Sequence, residues 1–255
     1  MQFTSQTTSD AVSTRLFTLD GITGALWTPA RATSTALVLL AHGGGQHRTA
    51  EAMVGRARRY VTAHDFAVAA IDAPGHGDRP RAERDAMTAT WERIRERAAA
   101  GEALGPLIAQ GNADLAARAV PDWRATLDAL GALGVVDPGG PVGLLGMSMG
   151  AAIGVPLLAA EPRITAAVLG LAGSPALAGT ATRITVPVEF LLQWNDEVVP
   201  RQDALAMFDA FASTEKTLHA NPGGHRDVPV FERDSSERFF VRHLLGTGAV
   251  VTGSS

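Results

Sequence analysis

From residue 35 onward, short apolar runs alternate with longer stretches in which apolar residues recur every three or four positions. "TALVLLAHGGG", "FAVAAIDAPGHG", "PVGLLGMS", "ITAAVLGLAG" and "VPVEFLLQW" are of the first kind, and "EKTLHA" is read as one more strand. "EAMVGRARRYVTAHD", "NADLAARAVPDWRATLDALGAL", "MGAAIGVPLLAAE", "PRQDALAMFDAFAS" and "SSERFFVRHLLG" carry helical spacing. Strands that lack polar alternation are buried on both faces, and strands alternating with helices build a parallel sheet with helices on either side. The predicted architecture is therefore α/β, a mostly parallel, doubly wound sheet in a single domain spanning 1–255.

Two departures from that rhythm shape the picture. "AVSTRLFTL" and "GALWTPA" alternate apolar and polar residues around "DGITG", which predicts an N-terminal antiparallel hairpin. After the second parallel strand, 78–111 is longer than a strand-to-helix connection needs. Met87, Trp91 and Ile94 there share a helical face, so the segment reads as a lid-like helical insertion, with a surface helix along the sheet edge as the rival. Pro200 suits a first helical position, Asp234 with Glu237 suits a capping box, and Gly246 suits a helix end. Pro156 falls inside a predicted helix, where it should kink the axis or delay the start. "TGAVVTGSS" reads as a frayed tail.

Composition narrows the chemistry. Among 255 residues, 46% are hydrophobic and 19% charged, enough for a sizeable core. A formal charge of −4 gives no field for a phosphate backbone, so nucleic acid is not an expected partner. Cysteine is absent, which removes disulfides, thiolate metal sites and thiol nucleophiles. No apolar run approaches the ~18 residues of a membrane span, and the N-terminus has no signal-like pattern, so no membrane partner and a cytoplasmic location are expected. A homo-oligomer is compatible with all of this.

The chemically pointed stretch is "GLLGMSMGAAIG", where Gly146-Met147-Ser148-Met149-Gly150 falls between a predicted strand and helix. Ligands of open parallel sheets bind at strand carboxyl ends, and a sharp strand-to-helix turn flanked by glycines exposes its central hydroxyl. A serine hydroxyl needs a base to take its proton, and the base needs a carboxylate to orient it. Asp196, just past a buried strand, is the expected acid, with Glu197 and Asp227 as alternatives. His225, in a glycine-rich loop after the last strand, is the expected base. His219 lies in a strand, His64 and His243 in helices, and His47 beyond the glycine loop.

The oxyanion donors are expected to be the backbone N–H groups of Met149 and of Gly44, with Gly45 as the alternative to Gly44. His76 is assigned a loop-organising hydrogen bond. No helix carries H-x-x-x-H or H-E-x-x-H spacing, so no metal site is expected.

Taken in order, "HGGG", "DAPGHGD", "GMSMG", "NDEVVP" and "GGH" make the sequence resemble the α/β-hydrolase superfamily over nearly its whole length, and within it serine esterases and dienelactone-hydrolase-like proteins. The resemblance implies the α/β-hydrolase fold and an ester hydrolase working through an acyl-enzyme without a cofactor. Thioesterase, peptidase or acyltransferase chemistry uses the same nucleophile, and a non-catalytic binding protein is the remaining class. The substrate is expected to be a small acyl compound, with Met147, Trp194 and Trp91 lining its site. Many relatives carry a cap just before the acid strand. "AGSPALAGTATRITVP" leaves little room for one here.

Overall fold

The protein is described by a computed structural model covering residues 1–31, 33–34, 36–134 and 139–246. Leu37–Ala41 (β4) and Ala67–Ile71 (β5) are buried at every position, as strands covered on both faces must be. They pair in parallel, and β4 also pairs in parallel with Val142–Met147 (β6). Ile164–Gly170 (β7), Val188–Gln193 (β8) and Lys216–Asn221 (β9) extend the parallel array. On the far side of β5, Gln2–Ser9 (β1), Val12–Leu19 (β2) and Ile22–Pro29 (β3) add three antiparallel strands. The full order is β1-β2-β3-β5-β4-β6-β7-β8-β9.

Alternate residues of each central strand feed two cores. Leu37, Leu39, Ala67 and Ala69 meet Trp123, Leu127, Met149, Ile153 and Met207 on one side. These come from Leu104–Ala132 (α3), Met149–Ala160 (α4) and Arg201–Ala210 (α6). Val38, Leu40, Val68 and Ala70 meet Met53, Tyr60 and Phe240 on the other, supplied by Glu51–His64 (α1) and Glu232–Leu244 (α7). No helix among the described residues is long and apolar enough to cross a membrane.

Several local expectations are corrected. The predicted hairpin is present with the tight turn at Asp20-Gly21, both at positive φ. A strand that the sequence reading passed over, β1, lies outside it with mostly exposed side chains, which is why no apolar run marked it. The 78–111 segment is helical over most of its length. It holds Arg81–Ala99 (α2) and the first turns of α3, which run without a break into the helix that covers the sheet. Ile94 is buried on the inner face of α2, and Met87 packs against the core. A short helix, Pro175–Ala181 (α5), fills the stretch after β7.

Pro156 does not delay α4, which starts at Met149 and keeps the proline in its interior. Pro200 caps α6 rather than opening it. Asp234 and Glu237 form no capping box, because α7 begins at Glu232 and Asp234 lies within its first turn; both side chains pair with Arg59 on α1. Gly246, at φ 76°, does follow the end of α7. The "TGAVVTGSS" tail lies outside the described residues.

The turn from β6 into α4 is set by two close approaches. A Cβ on Gly150 would overlap the Ala41 carbonyl and come 3.1 Å from the His42 carbonyl oxygen, while one on Gly146 would overlap Gly150 itself. Helix α4 thus sits on the end of β4 with no room for a methyl group. Gly150→Ala is expected to destabilise by about 1–3 kcal/mol through overpacking, read as a lower urea midpoint at constant slope. Gly55→Ala, on an open face of α1 with no atom within 4 Å of the added carbon, should instead stabilise by up to about 1 kcal/mol. Equal midpoints for the two variants would contradict the packing.

Candidate active site

Ser148 sits between β6 and α4 with φ 56° and ψ −120°, a conformation that residues other than glycine seldom adopt. The strained turn is held from both sides. Its N–H donates to Gly170 O at 2.9 Å, and its carbonyl accepts from Ala151 and Ala152 N–H at 3.0 Å. The backbone is therefore fully engaged, and the side chain projects from the carboxyl edge of the sheet.

Strand β8 ends at Gln193, and the turn after it presents Asp196. Oδ1 of Asp196 accepts from the N–H groups of Val198 and Val199, both at 2.8 Å, which leaves Oδ2 for the His225 ring. His225 Nδ1 lies 2.8 Å from Asp196 Oδ2, and its Nε2 lies 2.8 Å from Ser148 Oγ. Beside a carboxylate Nδ1 must carry the proton, so Nε2 is a lone-pair acceptor for the serine O–H. Asp196 and His225 side chains are 4% and 13% exposed, so this chain of bonds faces little competition from water.

The loop carrying His225 is fastened by groups that the sequence offered as rival acids. Glu197 accepts the His225 N–H at 2.9 Å, and Asp227 accepts the Gly224 N–H at 2.8 Å. Neither is hydrogen-bonded to the imidazole. Gln193 Nε2 donates to Gly224 O at 3.2 Å, and Gly223 turns at φ 113°. The other histidines are engaged elsewhere: His47 with Thr49, His64 with Glu237, His219 with Glu232, and His243 near Glu215.

On the opposite side of Ser148, the glycine loop after β4 is organised by His42, a residue the sequence reading did not single out. Its Nε2 accepts from Ala73 N–H at 3.0 Å, so Nδ1 holds the proton and donates to Gly43 O at 2.9 Å. Gln46 N–H donates to the same carbonyl at 3.2 Å. In a trans peptide the N–H points opposite to the C=O, so these two bonds fix the direction of the Gly44 N–H. Met149 is the first residue of α4, and its N–H is among those with no intrahelical acceptor. Burial pushes the His42 imidazole down to about 4, against the opposing effect of its bond to Gly43.

Below this loop lies a second unforeseen group. Buried Asp72 accepts from Thr23 Oγ1 at 2.7 Å, Arg48 N–H at 2.8 Å and Asp78 N–H at 3.0 Å, and it pairs with the Arg48 guanidinium. Burial alone would raise this carboxyl, but the donated bonds outweigh it and hold the group below its ordinary range. The network ties β3, the glycine loop and the loop after β5 together. His76 has the loop role expected of it, with Nδ1 3.2 Å from Pro74 O and its ring 5.3 Å from that of His42.

The three residues expected to line a substrate site are placed differently from one another. Met147 is half-buried and packs against the core beneath α1 and α7. Trp91 is half-buried on α2. Trp194 is 47% exposed under the Arg201 guanidinium, 4.3 Å from its ring centre, so it is a surface ring rather than the wall of an enclosed pocket.

A family model described as "Alpha/beta hydrolase family" matches residues 38–251. An esterase described as cold-adapted, from an Arctic intertidal metagenomic library, is 32% identical, with 96% of this chain and 100% of that one covered at a TM-score of 0.76. A zinc-bound structure with the same esterase description gives 30% identity, the same coverage and a TM-score of 0.73. The Pyrococcus furiosus esterase Pf2001, at 15% identity, 90% and 91% coverage and a TM-score of 0.63, shares the fold. No curated protein matches the chain.

Two outcomes follow for the supports of the site. Asp72→Ala leaves Arg48 buried without its main partner and is expected to destabilise by about 3–5 kcal/mol, measured by urea unfolding at neutral pH. For His42, the folded value of about 4 lies below the ordinary 6.5. The unfolded chain therefore takes up a proton between those values that the folded chain refuses. Stability is full above pH 6.5 and falls toward pH 4, with a His42 share of up to about 3 kcal/mol. His42→Asn should flatten that acid loss relative to the parent, and parallel profiles would contradict the assignment.

Proposed function

The chain belongs to the alpha/beta hydrolase family, and on that premise we propose that it hydrolyses carboxylic esters of small acyl compounds through Ser148, His225 and Asp196. The observation that carries this reading is the unbroken pair of 2.8 Å contacts from Asp196 through His225 to Ser148 Oγ. The esterase described for the 32% identical structure supports the ester as substrate class.

In the proposed cycle His225 Nε2 takes the proton as Ser148 Oγ attacks the ester carbonyl. Asp196 keeps the proton on Nδ1 and stabilises the imidazolium that forms. The oxyanion is received by the N–H groups of Met149 and Gly44, with Gly45 as the alternative to Gly44. His225 then delivers its proton to the leaving alcohol, which departs and leaves an acyl-serine. A water molecule gives a proton to His225, attacks the acyl carbon, and releases the acid as the proton returns to Ser148. No step calls for a cofactor.

His42 supports the reading because the bond it makes to Gly43 sets the peptide whose N–H must meet the oxyanion. Glu197 and Asp227 support it by holding the loop that presents His225. Helix α2 and the first turns of α3 are proposed to cover the acyl side, since Met87 on α2 packs beside Gly75 in the loop that also carries His76.

Ser148→Ala is expected to lower kcat on a short-chain ester by about 10⁴-fold or more, with the far-UV circular dichroism unchanged. His225→Ala should cost a similar factor, and the double variant should be no worse than either single one, as for groups acting as a unit. Ester turnover within tenfold of the parent after Ser148→Ala would remove the serine from the mechanism. Comparison of matched esters, thioesters and amides on the parent enzyme then fixes the leaving group, with the ester expected to react fastest.

A further inference from the structure

Away from Ser148, three residues from β8, β9 and α7 converge on one face of the sheet. The parallel register pairs Glu189 with Thr217 and Leu191 with His219, so Glu189 and His219 project to the same side. There they meet Glu232, the first residue of α7. One ligand-type atom from each of the three lies within 4.8 Å of the others. His219 Nδ1 is 2.7 Å from Glu232 Oε2, and its Nε2 is 3.9 Å from Glu189 Oε2.

The charge balance of this cluster differs from that of comparable buried acids. Asp72 is matched by Arg48, Glu161 by Arg163 and Glu237 by Arg59. Among the described residues, no arginine or lysine nitrogen lies within 4.0 Å of Glu189 or Glu232; a single imidazole serves both. Glu232 gains from the positive end of α7. Glu189, 4% exposed and within β8, does not, and its Oε1 is buried without any hydrogen-bond partner. The two carboxylates are meanwhile steadied from outside. Ser235 Oγ donates to Glu189 Oε2 at 3.0 Å, and Asn221 Nδ2 donates to Glu232 Oε1 at 2.8 Å. Such supporting bonds are what ligating carboxylates require.

We propose that Glu189, His219 and Glu232 form a binding site for a divalent cation of the zinc class, with water completing its coordination. Two carboxylates and an imidazole are a ligand set that Zn²⁺ accepts in tetrahedral geometry, whereas Mg²⁺ and Ca²⁺ favour all-oxygen sites. The His219 side chain is 24% exposed, which gives the ion a path from solvent. Its role is structural. Asn221 and Glu232 stand at the two ends of the 222–231 segment that carries His225, so an ion here ties β9 to α7 beneath that loop. The ligands lie 30 and 13 positions apart along the chain, a spacing that no local motif search detects.

The test is a titration of the metal-stripped full-length protein with ZnCl₂, followed by calorimetry and by thermal unfolding. One saturable site per chain and a raised Tm are expected, with no comparable shift from MgCl₂. Glu189→Gln and Glu232→Gln should each weaken zinc binding at least tenfold, while His225→Ala binds as the parent does. Should the glutamine variants fail to fold, anomalous diffraction at the zinc edge from the loaded parent locates the ion. A peak at about 2.0–2.2 Å from a His219 nitrogen supports the site, and a peak at His225 and Asp196 or elsewhere overturns it. Absence of saturable binding, or loss of binding in His225→Ala alone, also overturns it.

Discussion

The structure depends on a steric fact at the carboxyl edge of the sheet: helix α4 rests directly on the end of β4, with bare backbone at Gly150 against the Ala41 and His42 carbonyls. That approach leaves no length for a relaxed turn, so the chain passes through Ser148 at φ 56°. The strain is held by the Ser148 bonds to Gly170, Ala151 and Ala152. The same contact brings the glycine loop after β4 beside the turn that carries Ser148.

The remaining side chains are delivered by strand order. β7 and β8 follow β6 in the sheet, and β9 closes it, so the loops after β8 and β9 open toward the same edge as Ser148. Asp196 and His225 reach it from those loops, and the two loops are laced together by Trp194 N–H to Asn221 O and Asn195 N–H to Gly223 O. Asp196 divides its oxygens between backbone donors and the imidazole, which fixes both its own rotamer and the histidine tautomer. The alignment of Asp196, His225 and Ser148 thus depends on loop stems tied to one another, not on one strong bond.

Much of this was legible in the sequence because it was written in patterns with a local physical cause. Mainly apolar runs marked β4 to β8, and G-x-S-x-G marked a turn whose flanking close approaches only glycines permit. The hydrogen-bonded set Ser148, Asp196 and His225 was legible because each follows a strand, in the chain order that the resemblance to α/β-hydrolases implies. What escaped was tertiary or unmarked by hydrophobicity. β1 has a polar exposed face, α5 is short, and α7 starts earlier than expected, which leaves Asp234 and Glu237 inside the helix and paired with Arg59, 175 or more positions away. His42 and Asp72 act through partners that only folding assembles, and Trp194, aromatic and near the acid, turned to Arg201 at the surface.

The central claim is that the Ser148 hydroxyl is activated by its place in this arrangement. Treatment with a fluorophosphonate probe, followed by peptide mass spectrometry, tests it most directly. The account predicts a single phosphonyl adduct on Ser148, formed quickly in the native protein and not formed when the protein is denatured before the probe is added. A native protein that takes up no probe, or carries the adduct on a different residue, would contradict it.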